Sequence, residues 1–342
     1  MSIYTGIEGQ NILIVSSDPA NPVEGQIWYN TTTNLLKGAA LSTSGTWATG
    51  GNMSNGRYGI AGAGIQTATL GFGGYGPVPG TTNSNKTESY NGTSWTTSPA
   101  NLNQARYSFK GIGTQTAALG AGGYFFPGGN QSYVESYNGS AWTAQTALPA
   151  ARGGAGSAGT SNTAGIFFGG SDAGNLVTTS SQSWNGSAWT ATPSMNTARQ
   201  NIMGTGTQTA ALAASGLTPP ANYRTSTESY NGTSWTTVPG TLNTGRQSAG
   251  GGGTQSLAYI CGGDTGSPTA FLTATELWNG TSWTTNPTGL TQKRAQLASN
   301  LGTQTAGITF GGYNPPSSPI TLVSTETFTG PGVLVTKTIT TS

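Results

Sequence analysis

Glu228-Ser-Tyr-Asn-Gly-Thr-Ser-Trp235-Thr-Thr237 reads as two short β-strands joined by a turn. Asn231-Gly232 accepts the positive φ angles of a type I′ hairpin, so a tight two-residue connection is expected there. The phrase returns as Glu88 to Trp95, Glu135 to Trp142, Gln182 to Trp189 and Glu276 to Trp283. A single copy would specify a hairpin, whereas recurrence at a fixed period specifies an architecture.

The period is set by Trp47, Trp95, Trp142, Trp189, Trp235 and Trp283, which are 48, 47, 47, 46 and 48 residues apart. Arg57, Arg106, Arg152, Arg199, Arg246 and Arg294 keep the same phase. So do Gln66-Thr67, Gln115-Thr116, Asn162-Thr163, Gln208-Thr209, Gln255-Ser256 and Gln304-Thr305, which look like turns. A glycine pair closes an apolar run at 73–74, 122–123, 169–170, 262–263 and 311–312, and the fourth unit has Ser215-Gly216 instead. In the second unit, residues 106–113, 117–123, 133–137 and 141–144 read as four strands. Four antiparallel strands in about 47 residues predict a propeller blade, and six units predict six blades over residues 41–342. The strand near Trp47 lacks the usual preceding hairpin, and Glu326 to Gly330 lacks a following tryptophan. Trp47 is therefore expected to complete the last blade, with Gly332 to Ile339 as the rival closing strand.

Residues 1–40 fall outside the repeat. Ile12 to Val15 reads as a short strand, Asp18 to Gly25 as a turn-rich connector, and Gln26 to Lys37 as a hairpin. A lone hairpin is marginal in water, so this segment is expected to dock, on the chain itself or on a partner.

The chain has 342 residues, 6% of them charged, a net charge of +2 and no histidine. Globular chains usually carry about 25% charged residues. With its many glycines and regular aromatics, this composition predicts an uncharged β surface. It predicts no nucleic-acid partner, no membrane insertion and no secretory signal. Without histidine, and with Cys261 as the only cysteine, neither a metal centre nor a thiolate site is expected. Cys261 falls in the slot of Phe72, Phe168 and Phe310 and reads as a buried strand residue. Asp172 and Asp264 are the only acids placed for a carboxylate pair. No cofactor and no enzymatic activity are expected.

The six arginines could ring a channel mouth and bind an anionic glycan. Their periodic partners Glu88, Glu135, Glu228, Glu276 and Glu326, with Gln182 in the third unit, favour structural pairing instead. Asn91, Asn138, Asn185, Asn231 and Asn279 match the glycosylation acceptor, but the turn explains them. The in-phase tryptophans are expected to pack between blades. The segments after the second strands, by contrast, break phase. They make one face the expected contact surface, with Tyr75, Phe125, Phe126, Tyr133, Tyr223, Arg224, Phe271 and Tyr313 as its candidate ligand or receptor contacts.

The glycine pairs, the third-strand aromatics (Tyr90, Tyr137, Trp184, Tyr230, Trp278, Phe328) and the fourth-strand tryptophans resemble the kelch family of β-propellers over roughly residues 45–330. That family's copper oxidases use histidines that are absent here. A narrower stretch, Pro22 to Lys37, resembles a segment of structural proteins of tailed bacteriophages, especially marine ones. The resemblance implies a virion component assembled in the host cytoplasm, bound to other virion proteins through residues 1–40. Such a component would be a tail fibre, spike or peripheral adhesin reaching a host glycan or protein. The alternative is a capsid-decoration or structural protein touching only other virion proteins. Oligomeric state stays open.

Overall fold

The computed structural model describes residues 12–77, 81–266, 270–315 and 321–339. Among these residues every regular element is a strand. The chain forms two compact units, residues 46–329 and the two flanking segments together.

In the larger unit, five antiparallel four-stranded sheets follow one another in sequence. The first contains Ala61–Ile65, Ala68–Phe72, Thr87–Tyr90 and Trp95–Thr97. The second contains Lys110–Gly113, Ala118–Ala121, Val134–Tyr137 and Trp142–Ala144. The third to fifth repeat the pattern from Gly156–Ser161, Met203–Gly206 and Gly250–Gly253 outward. A sixth sheet joins Ala306–Phe310, Thr325–Thr329 and Thr46–Thr49, with Phe328 opposite Trp47. Its innermost segment contributes isolated bridges rather than a strand, among them Gly302 to Gly307. The architecture is all-β and propeller-like.

In the first five units the first strand starts four residues beyond the arginine rather than at it, as at Lys110 after Arg106. The cause is a left-handed residue two positions after each arginine: Gly59, Ser108, Gly154, Asn201, Ser248 and Gln296, with φ between 53° and 60°. That conformation cannot continue a strand. These residues bond to one another instead. Ser108 N donates to Gly59 O, Gly154 N to Ser108 O, Asn201 N to Gly154 O, Ser248 N to Asn201 O, Gln296 N to Ser248 O and Gly59 N to Gln296 O, at 2.6–3.0 Å. The six bonds form a closed cycle.

Two further sets of bonds tie each sheet to the one before it. Gln115 Nε2 donates to the carbonyls of Thr69 and Tyr90, and the equivalents Gln208, Gln255 and Gln304 do the same one sheet further on. Gln66 reaches Gly307 and Phe328 of the sixth sheet. Trp142 Nε1 donates to Thr87 Oγ1, Trp283 to Thr227, Trp47 to Thr275 and Trp95 to Thr325, at 2.8–3.0 Å. Where the hydroxyl is replaced by Val134, Trp189 turns to Thr146 O. Between neighbouring sheets lie apolar clusters, such as Phe72, Phe109, Tyr137 and Trp142 between the first and second. The tryptophan rings thus fill the wedges between sheets.

The connection quoted first differs from expectation. Tyr230 pairs with Trp235, so four residues form the loop rather than two. Only Gly232, at φ 93°, is left-handed. Asn231 Oδ1 accepts the backbone N–H groups of Thr233 and Ser234, an Asx turn in place of a type I′ turn. Asn91, Asn138, Asn185 and Asn279 do the same in their loops. In the fourth unit, Ser215 takes the left-handed place of the missing glycine, and its Oγ accepts from Met203 N at 3.4 Å.

In the smaller unit, Leu13–Val15 runs parallel to Ile27–Asn30, which pairs with Leu35–Leu41. Leu334–Thr338 pairs antiparallel with Leu35–Leu41, so residues 330–339 belong here and not to the repeat array. The rival closing strand is therefore used in the smaller unit. Trp28 is fully buried and donates to Asp18 Oδ1, which also receives Asn30 Nδ2 and Lys37 Nζ. These donors, Lys37 first, hold the Asp18 carboxyl down at about 2. The connector thus contributes an anchor as well as turns. Residues 1–11 of the expected docking segment lie outside the described residues.

Candidate functional site

The arginines head the segments that enter each sheet; five are buried and Arg152 is half-buried. Arg57 Nη2 donates to Glu88 Oε1 at 2.6 Å, Arg294 to Glu326 at 2.8 Å and Arg199 to Glu228 at 3.1 Å. Arg106 pairs with Glu135 and Arg246 with Glu276 in the same way. The second carboxylate oxygen of each glutamate accepts a backbone N–H from the segment before its arginine, as at Asn196 N to Glu228 Oε2, 2.7 Å. Burial lowers the arginine pKa values, that of Arg199 to about 10, against the opposing pull of the carboxylate. In the third unit, where Gln182 stands, Arg152 turns to Gly169 O and Ser180 Oγ. A guanidinium enclosed in this way joins the strands of its own sheet and presents no charge to a ligand.

Two positions per unit vary on this face, namely the residue after each arginine and the residue after each glycine pair. They are bridged as Tyr58–Tyr75, Tyr107–Tyr124, Gly153–Ser171, Gln200–Leu217, Gln247–Asp264 and Ala295–Tyr313. Both members are aromatic in the first and second units and one is in the sixth, and these three units are consecutive. Their rings form a continuous arc. Phe271 meets Tyr313 at 5.8 Å and Tyr313 meets Tyr58 at 5.1 Å. Tyr58 touches Tyr75 and Tyr107 at 5.4 and 6.0 Å, and Tyr107 touches Tyr124 at 5.4 Å. The tyrosines are half-buried, whereas Phe271 is buried against Tyr313. Burial, then the neighbouring phenols, pushes the Tyr58 hydroxyl up to about 12, and no acidic or basic side chain belongs to the arc.

The other half of the face is polar. Asn201 Nδ2 donates to Gln247 Oε1, and Gln247 Nε2 to Asp264 Oδ2, at 2.9 and 3.0 Å. Arg224 Nε donates to Thr218 Oγ1, and burial, then Asp264, raises the Tyr223 phenol. Of the expected contacts, Tyr75, Phe271 and Tyr313 thus come together, while Tyr223 and Arg224 lie on the polar side. Phe125 and Phe126 are exposed on the hairpin that begins at Tyr124, and Asn83 ties Phe126 to the first unit through two hydrogen bonds. Tyr133 is exposed and makes no ring contact in the arc. Residues 78–80, 267–269 and 316–320 of the expected contact loops lie outside the described residues. Tyr58, Tyr107 and Tyr124 did not stand out in the sequence. Their signal is position, immediately after a repeat arginine or a glycine pair.

Beside the arc, a cavity of about 220 Å³ is lined by Asn55, Thr82, Asn83, Ser84, Asn85 and Lys86, among others. Asp172 Oδ1 accepts Gly174 N and Leu176 N, and Asp264 Oδ1 accepts Gly266 N, so each acid holds its own loop. Burial pushes the Cys261 thiol up to about 12. Among the described residues, no group of three His, Cys, Asp or Glu side chains could hold a metal ion, and no helix is long and apolar enough to cross a membrane. No protein-family model and no curated protein matches the chain.

Proposed function

We propose that residues 46–329 are a six-bladed, kelch-like β-propeller that binds without catalysis, and that the chain is a component of a tailed-phage virion. The observation that carries the binding reading is the tyrosine arc. It is a neutral, half-exposed aromatic surface on three consecutive units, next to a polar cavity, held by a scaffold stitched through backbone bonds. Stacked aromatic faces with amide and hydroxyl groups alongside suit a sugar or an uncharged protein loop, and a rigid scaffold loses little entropy on contact. The phage reading rests on the Pro22 to Lys37 resemblance and the sparsely charged composition. Together they favour a tail fibre, spike or peripheral adhesin contacting a host glycan or protein. The alternative is a decoration or structural protein that meets only other virion proteins. It is favoured by the separate smaller unit, with its own buried Trp28.

The test is binding of the labelled full chain to intact candidate host cells, with competition against phage adsorption. Saturable binding that is weakened about tenfold or more by Tyr107→Ala supports the adhesin, on the scale of losing one aromatic anchor. A folded chain that binds no host cell but binds purified virions supports the alternative.

A further inference from the structure

Lys110 is the exception among the buried cations. It is the first residue of an innermost strand, at a position where the other units have Ala61, Gly156, Met203, Gly250 and Ala298. Its side chain is 8% exposed, and its Nζ donates to Ser299 Oγ, from the sixth unit, at 3.3 Å. Among the described residues no carboxylate is paired with it, whereas five of the repeat arginines have one. An ammonium group carries three donors, and a buried charge without a counter-charge is costly.

Beside it lies a cavity of about 30 Å³, lined by the six left-handed residues of the backbone cycle together with Ile60, Phe109 and Leu297. This volume is about that of one or two water molecules. The lining holds no other titratable group, so nothing there supplies negative charge. It does include Ser108, Ser248 and Gln296, and the buried Gln296 Oε1 has no hydrogen-bond partner. A half-turn of that amide presents Nε2, a donor, in its place.

On the far side the passage is obstructed. In the third and sixth units the Asn or Gln marker stands ten positions after the arginine, and in the other four it stands nine. The third unit has a bulge between Ala158 and Ser161, and in the sixth unit Asn300 is left-handed. The two meet where Asn300 Nδ2 donates to Gly159 O at 3.0 Å, and Asn300 Oδ1 accepts from Thr205 Oγ1 at 3.3 Å. Lys110 therefore faces a small cup on the tyrosine-bearing side, and not an open tube.

We propose that this cup is a binding site for a single small inorganic anion of the halide class, held by the Lys110 ammonium and the surrounding hydroxyl and amide donors. A bound anion supplies the counter-charge that the lining lacks, and the cup admits nothing much larger. The site is independent of the binding role argued for the tyrosine arc.

Melting of the full chain at pH 6, with chloride replacing gluconate at constant ionic strength, tests it. The Tm is expected to rise by about 3 °C or more with chloride, as for any ligand selective for the folded state. Lys110→Met is expected to remove that rise. Crystals soaked in bromide should give an anomalous peak within hydrogen-bonding distance of Lys110 Nζ, a readout that needs no variant. A wild-type Tm indifferent to chloride, or bromide peaks only elsewhere, would overturn the proposal.

Discussion

At the residue scale, the repeat is maintained by pairs whose members stand about thirty positions apart. Arg199 and Glu228 illustrate the cost of separating them. Glu228→Gln leaves a guanidinium buried without its counter-charge and is expected to destabilise the fold by about 3–5 kcal/mol in urea unfolding. Arg199→Met combined with Glu228→Leu should recover most of that loss. Trp235→Ala should cost about 3–5 kcal/mol with an unchanged m-value, because the ring fills a wedge between sheets. A negligible change with lost ligand binding would instead make Trp235 a recognition residue. Lys110 gives a pH signal. Burial lowers its pKa from 10.5 to about 8, so between those values the unfolded chain holds a proton that the folded chain has released. In chloride-free buffer, stability is expected to rise with pH across that window by about 3 kcal/mol relative to Lys110→Met. The comparison with the variant cancels Cys261, whose raised thiol pKa acts in the opposite direction above pH 9. The ion pairs were legible in sequence because two oppositely charged sets share one period. Lys110 was not, because a single departure at an apolar position carries no pattern.

At the element scale, the unit was readable to within a few residues, and the errors were in the connections. Asn-Gly suggested a turn in which both residues adopt positive φ. The loop is longer because Tyr230 pairs with Trp235, and the asparagine acts through its side-chain oxygen. Asn231→Ala removes that acceptor and is expected to cost about 1 kcal/mol, with Asn231→Asp retaining most of the stability. Chemical denaturation of both variants measures what that acceptor contributes. The Thr-Gln-Thr phrase was legible as a turn. Its glutamine was not legible as a bridge, since the carbonyls it meets belong to a sheet some 25 and 45 residues earlier in the chain. Backbone acceptors leave no mark on sequence.

At the scale of the molecule, the period fixed the number of units, and the orphan strand at Trp47 indicated how the last sheet is completed. The fate of the final strand was hidden, because Leu334–Thr338 has no distinctive partner pattern and finds Leu35–Leu41 by edge pairing. A fragment of residues 45–330 keeps every strand of the larger unit and is expected to unfold in a single transition. Starting the fragment at residue 50 removes the strand opposite Thr325–Thr329 and should lower or split that transition in calorimetry. The pairing of Thr46 with Thr329 also has a mechanical meaning. Both covalent links to the smaller unit leave from the same end of one ladder. Tension transmitted through them draws the two strands the same way, without sliding one past the other. Each link bears part of the load, and the hydrogen bonds between the strands are spared the shear that a single tether would impose.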